Sequence, residues 1–146
     1  EFSGQLITDG DDFTTAEISF TINPASINTG VSDRDAHLKS ADFFDVESFK
    51  EITFTDGKLV KTDENEFNLL GNLVIKGVSQ PVTLKAEFGG QMADPWGNVK
   101  AGFTLDGKIN RKDYGLTWNA TLETGGVLVS DDIRLNLEVQ LLKQQA

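Results

Sequence analysis

The segment Asp132 to Leu142 alternates without a break, with Ile133, Leu135, Leu137, Val139 and Leu141 on one side and Arg134, Asn136, Glu138 and Gln140 on the other. A period of two held over that length fits a strand with one face in a core and the other in water. The pattern recurs along most of the chain. Phe13 to Ile22 sets Ala16, Ile18, Phe20 and Ile22 against Glu17, Ser19 and Thr21. Glu66 to Lys76 sets Phe67, Leu69, Gly71, Leu73 and Ile75 on one face. Val82 to Phe88 and Val99 to Asn110 repeat it, and Glu1 to Ile7 shows a weaker form. Glu51 to Lys61 begins the same way, with Ile52 and Phe54 inward, but Asp56-Gly57 interrupts it as either a two-residue hairpin turn or a β-bulge. Turns are read at Thr8–Asp12, Thr62–Asn65 and Gly77–Pro81, and a longer loop at Gly89–Gly97 holds Met92, Pro95 and Trp96. Thr117 to Val127, around Gly125-Gly126, stays unassigned. Six or seven one-sided strands joined by short turns make an all-β antiparallel meander. Closing into a barrel removes its edges, and the long alternating strands favour that over a sandwich.

One stretch departs from the pattern. Ile22 to Asp45 reads INPASINTGVSDRDAHLKSADFFD, and a short helix is expected from Asp33 to about Ala41, with Ser32 as N-cap and Asp35 at the N3 position. Asp35 and Lys39 stand four apart with the acid first, the favourable order on an exposed face. Phe43 and Phe44 follow as an anchor. The expected arrangement is a helical lid or plug over one end of the β structure.

At 146 residues the chain is read as a single domain, 1–146. A formal net charge of −10 repels phosphate backbones and anionic headgroups, which argues against a nucleic-acid partner and against electrostatic docking to a membrane. There is no cysteine, hence no disulfide and no thiolate ligand or nucleophile. No apolar run approaches the roughly 18 residues that a membrane-spanning helix needs. The chain opens on Glu1 rather than Met, so it is expected to begin inside a longer parent.

The catalytic inventory is thin. His37 is the only histidine, and its ordinary reading is structural. The acidic turns Asp9-Gly10-Asp11-Asp12 and Asp63-Glu64-Asn65-Glu66 lack the spacing of a calcium loop, and their ordinary reading is a solvated turn. Asn110 to Gly115 reads as a polar corner in which Arg111 and Asp113 satisfy backbone groups. No metal site and no enzyme is expected. The inward faces say more, because Ala16, Gly71, Ala86, Ala101 and Gly107 interrupt rows of large apolar residues. Two readings follow: a filled barrel that alternates small and large, or one left partly open as an apolar cavity for a hydrocarbon chain.

Thr29-Gly30 followed by Asp33-Arg34-Asp35-Ala36-His37-Leu38-Lys39-Ser40-Ala41-Asp42-Phe43-Phe44-Asp45 resembles the TG…RDxHLxSxDFFD block of the YceI-like polyisoprenoid-binding family. Leu70-Gly71-Asn72-Leu73-Val74-Ile75-Lys76-Gly77-Val78-Ser79-Gln80-Pro81-Val82 is similar to another of its segments. So are Asp94-Pro95-Trp96-Gly97-Asn98 with Ala101-Gly102-Phe103, and Ile109-Asn110-Arg111-Lys112-Asp113-Tyr114-Gly115. The resemblance implies a lipocalin-like antiparallel β-barrel whose hydrophobic channel binds an isoprenoid, such as a polyprenyl phosphate or a quinone tail. It implies no catalytic residues, no cofactor other than such a bound lipid, and a periplasmic or secreted location, a cytoplasmic one staying open. Members usually begin with a further strand region, a strand that carries a D-x-x-H-S motif followed by a long second strand. Its absence here implies an open seam, closed by a shortened barrel, by a second copy in a homodimer, or by residues outside this sequence.

The expected channel wall is Ile18, Phe20, Ile52, Phe54, Leu69, Leu73, Leu84, Phe88, Phe103, Leu105, Leu135 and Leu137, with Phe43, Phe44 and Trp118 at the mouth or lid. The expected function is non-catalytic binding of a long isoprenoid for carriage or storage. The alternative is a filled barrel, an interaction or stress-related scaffold that binds protein or polysaccharide through its loops. A calcium- or carboxylate-dependent hydrolase has the least support.

Overall fold

The structure is a computed structural model and describes residues 1–9, 12–119 and 129–143. Among the described residues seven strands form one sheet: β1 (Phe2–Asp9), β2 (Asp12–Ile22), β3 (Ile52–Asp63), β4 (Glu66–Ile75), β5 (Val78–Ala93), β6 (Val99–Asn110) and β7 (Asp132–Leu142). Their order in space is their order in the chain, and every pairing is antiparallel. The sheet curls around its inward rows as an opened barrel. β1 and β7 are its edges, and among the described residues no ladder joins them.

Alternation places the core as expected on β4 and β6, where Phe67, Leu69, Leu73 and Ile75 and then Ala101, Phe103, Leu105 and Ile109 are buried. On β7 the same rows are half-buried rather than buried, as suits an edge strand. Two turn readings change. Lys76 and Gly77, both with positive φ, form the two-residue β4–β5 turn between the paired Ile75 and Val78. The strand therefore starts at Val78, and Pro81 lies inside it. β5 pairs with β6 only from Lys85 onward, so Pro81 sits where one side of its strand has no partner in the ladder. At its other end β5 runs on through Gly89 to Ala93, residues the sequence suggested as loop, by means of a register shift between Phe88 and Gly90.

Asp56-Gly57 is a bulge, not a hairpin. β3 continues through it, Asp56 takes φ 58°, and the pairing with β4 shifts between Thr55 and Lys58. The shift turns Leu59 into the core.

The small inward residues do not all mean empty space. A Cβ on Gly71 would stand 2.3 Å from Cζ of Phe54, and one on Gly107 would stand 2.1 Å from Cδ2 of Leu84. Both glycines are notches that neighbouring large side chains fill. Phe54 is fully buried and stacks on Phe20, with ring centroids 4.7 Å apart and planes 7° apart. The β3–β5 side of the barrel is therefore packed.

Strands β2, β4 and β6 finish at one end, called the lower end here, where the irregular segments gather. Helix α1 (Ser32–Lys39) has Val31 at its N-cap and no side-chain cap; Asp35 turns back to accept from Thr29 N–H at 2.8 Å and from Thr29 Oγ1 at 2.5 Å. Lys76 Nζ donates to Ala41 O at 2.8 Å, tying this excursion to the β4–β5 turn. After β6, a 3₁₀ turn (Arg111–Tyr114) leads into residues 116–119. Arg111, 2% exposed, donates from Nη1 to Leu116 O at 2.6 Å and Trp118 O at 2.7 Å, and from Nε to Ser130 O at 2.9 Å. Asp131 lies 3.6 Å away. Asn119 and Val129 exchange two further hydrogen bonds. The Thr117–Val127 stretch otherwise lies outside the described residues.

Tyr114 is 1% exposed, and among the described residues its hydroxyl has no hydrogen-bond partner. Burial, then the nearby Asp113 charge, raises its pKa above the ordinary tyrosine value. A buried hydroxyl without a partner costs about 1–3 kcal/mol. Tyr114→Phe is therefore expected to leave stability unchanged or to raise it by about 1 kcal/mol. Urea midpoints measure this, and a clear loss would mean that the hydroxyl is satisfied in solution.

Candidate functional site

Among the described residues the inward face stays open on the side where no ladder joins β1 to β7. A cavity of about 310 Å³ lies between β1 on one side and β6 and β7 on the other. Leu59, Leu69 and Ala86 form its floor, Ile18 and Phe20 one wall, and Phe103, Leu105, Leu137 and Val139 the opposite wall. Phe2 and Leu6 of β1 and Leu141 of β7 stand at the seam. Ser3, Gln5, Ser19 and Gln140 supply its polar edge, and among the described residues no charged side chain lines it. An engineered apolar cavity of about 150 Å³ holds a benzene molecule, so this space takes a branched hydrocarbon of roughly twice that bulk. Gly4 makes the close approach of β1 feasible, because a Cβ there would fall 2.7 Å from Phe20 Cβ and 2.8 Å from Ser19 O.

The cavity continues along the seam. Gly4, Gln5, Leu6, Gln140 and Leu141 also border a more open groove of about 540 Å³, which runs toward the upper end between Ile7 and Phe13 on one side and Val99, Ala101 and Leu142 on the other. Phe13, Phe88 and Phe103 meet beneath it, with ring centroids 5.1–5.3 Å apart. What the arrangement offers is a lateral apolar slot with neutral polar lips along the cavity and Lys143 at the rim of the upper groove.

Of the expected wall, Ile18, Phe20, Leu69, Phe103, Leu105 and Leu137 border the cavity. Phe54, Leu73 and Leu84 are buried in the packed side of the core, with Ile52 and Leu135 against it, and Phe88 belongs to the aromatic cluster. Phe43, Phe44 and Trp118 do not form a mouth to this cavity. Phe43 is buried at the lower end with Trp118, ring centroids 5.4 Å apart, and both pack on His37. His37 Nε2 lies 3.0 Å from Asp42 Oδ2. This cluster sits at the lower end beside α1, apart from the seam cavity. The sequence reading missed Leu59, hidden by the bulge, and Ala86, Val139 and Leu141, whose alternation was visible but whose position beside an open edge was not.

Among the described residues no group of three or more histidine or acidic side chains converges, and no helix is long and apolar enough to cross a membrane. The lower-end plug carries one acid-sensitive element. Hydrogen bonds from the Thr29 hydroxyl and then from its N–H hold the Asp35 carboxyl below its ordinary pKa of 3.8. A carboxyl depressed on folding contributes stability that is present above its unfolded pKa and is lost as pH falls through the lowered folded value. Asp35→Asn is therefore expected to flatten the acid limb of the stability curve below about pH 4 and to speed exchange of the Thr29 amide at neutral pH. An unchanged acid limb would mean that Asp35 has no such role.

Comparisons with known proteins agree with this geometry. The family model of the YceI-like domain matches residues 1–141. Protein YceI of Salmonella arizonae is 37% identical over 145 residues, which cover 99% of this chain and 72% of that protein. The crystal structure of the Campylobacter jejuni YceI protein superposes with a TM-score of 0.85 at 36% identity, over 99% of this chain and 82% of that one. BcnA of Burkholderia cenocepacia, at 21% identity and a TM-score of 0.81 over 97% of this chain and 84% of that one, shares the fold.

Proposed function

The chain belongs to the YceI-like domain family, and on that premise we propose that it binds a long isoprenoid chain, a polyprenyl phosphate or quinone tail, in the seam cavity without catalysis. The observation that carries this reading is the uncharged apolar slot bordered by Phe20, Leu69, Phe103 and Leu137. Each buried CH₂ contributes about 0.8 kcal/mol, so an isoprene unit supplies about 4 kcal/mol. Ordering and association cost about 4–15 kcal/mol, so three or four units give useful affinity and a single unit does not. The slot opens laterally, which suits carriage: a chain slides in sideways without being threaded through an end. We infer a periplasmic or secreted place of work, as the family resemblance implies.

The filled-barrel scaffold reading has less support, since the packing by Phe54 and Leu84 stops short of the β1 and β7 edges. Organic extraction of the purified protein followed by mass spectrometry tests the proposal. A near-stoichiometric isoprenoid is the expected result. A clean extract, together with no uptake of an added polyprenol, would sink it.

A further inference from the structure

The upper end of the seam carries an exposed apolar surface that ligand binding does not explain. Met92 lies opposite Lys100, and Lys100 opposite Leu142, so the three form one cross-strand row on the outer face of β5, β6 and β7. Met92 is 76% exposed and Leu142 50%. Directly above the row, the β5–β6 turn presents Trp96, 83% exposed. That turn is built rather than loose. The Asp94 carboxylate accepts from Trp96 N–H and Asn98 N–H, both at 2.9 Å, and from Asn98 Nδ2 at 3.1 Å.

Leu142 also borders the upper groove, with Ile7, itself exposed, on the opposite lip. Lys143 stands at the same rim, its N–H bonded to Val99 O. The other two hairpin tips at this end are acidic, with Asp12, Asp63, Glu64 and Glu66. The apolar residues and the two lysines thus sit together on the groove's side of this end, with the Asp94 carboxylate in the same tip and Lys61 near Asp12 on the acidic side.

We propose that this surface docks on the interface of a phospholipid bilayer, seating Trp96 and Met92 at headgroup depth so that the upper groove opens toward the acyl chains. Three observations favour a bilayer. Tryptophan suits the boundary between water and lipid because its ring is apolar and its N–H polar. Lys100 and Lys143 flank the patch and match lipid phosphates. The patch is continuous with the slot in which the chain would travel. With a net charge of −10 the molecule as a whole is repelled by anionic lipid, so docking rests on apolar insertion and favours zwitterionic surfaces.

The docking goes beyond the cavity reading, and the two are tested apart. Protein is mixed with phosphatidylcholine vesicles carrying brominated acyl chains, and with vesicles containing phosphatidylglycerol as well. Co-sedimentation and quenching of tryptophan emission are the readouts, with uptake of a soluble apolar fluorophore as control for the cavity. Wild type is expected to sediment with phosphatidylcholine and to be quenched, less so as phosphatidylglycerol is added at low salt. The double variant Trp96→Ser, Met92→Ser is expected to partition at least about tenfold more weakly, with fluorophore uptake unchanged. Lack of wild-type partitioning, or a double variant that binds vesicles equally well, would overturn the proposal. Capture of a protein partner by this patch, with no vesicle binding, would overturn it also.

Discussion

Ala86→Phe is expected to weaken isoprenoid binding about a hundredfold while leaving the barrel folded. Ala86 is buried on the floor of the cavity, between Phe67 of β4 and Leu105 of β6 in the ladder. A benzyl ring has about the bulk that an apolar cavity of roughly 150 Å³ accepts, so it takes up about half of the 310 Å³ available. Loss of about four buried CH₂ groups from the ligand amounts to about 3 kcal/mol, which is the hundredfold. Overpacking of a full core costs about 1–3 kcal/mol, but here the added ring enters open space, so the denaturation midpoint should move little. Ala86→Val should give a smaller loss in the same assay. Titration of a polyprenol against both variants is the measurement, and unchanged affinity in Ala86→Phe would place the ligand elsewhere.

The largest effect on stability is expected from Arg111→Met. The guanidinium is buried and supplies donors to the carbonyls of Leu116, Trp118 and Ser130, holding residues on both sides of 120–128 against the end of β6. Methionine matches the length and the apolar stem but leaves those acceptors without their donor. Removing one side of such a buried charged network typically costs about 3–5 kcal/mol. Arg111→Lys should recover little of it, because a single ammonium cannot serve three separate carbonyls in a fixed fork. Urea denaturation gives the magnitude. Trp118 emission gives the location, since loss of the clamp should loosen its contacts with His37 and Phe43. A loss below about 1 kcal/mol, with Trp118 undisturbed, would show that the clamp is not what holds the lower end together.

Periodicity reveals which side chains of β4, β6 and β7 turn inward, because one-sided burial writes itself directly as alternation. It fails where backbone geometry resets the phase. The positive φ of Asp56 moves Leu59 to the inside, and a reader who stops the strand at Gly57 loses that residue. It fails again where volume is decided across strands. Gly71 suggests a void until its neighbour's register places Phe54 in the notch, and register is not written in either strand alone. The cavity itself depends on which two strands do not pair, a property of the closed set. Phe43 and Trp118 show the same limit from another side. Aromatics next to a helix are legible as an anchor, but the end they plug is fixed by Arg111 and its carbonyls.

Because every strand pairs only with its neighbours in sequence, most contacts in this sheet close short loops, and the chain should fold quickly for an all-β protein. One closure is different. Between β2 and β3 the chain leaves the sheet for residues 23–51, a longer stretch than the 111–131 that separates β6 from β7. The entropy of closing it is spent before the stacking of Phe20 on Phe54 can repay it. The β3–β6 meander should therefore form as an early unit, with the β1–β2 hairpin arriving late. The wall of the slot that carries Ile18 and Phe20 would then be the last to assemble and the first to release, so ligand exchange and the earliest step of unfolding would share a transition.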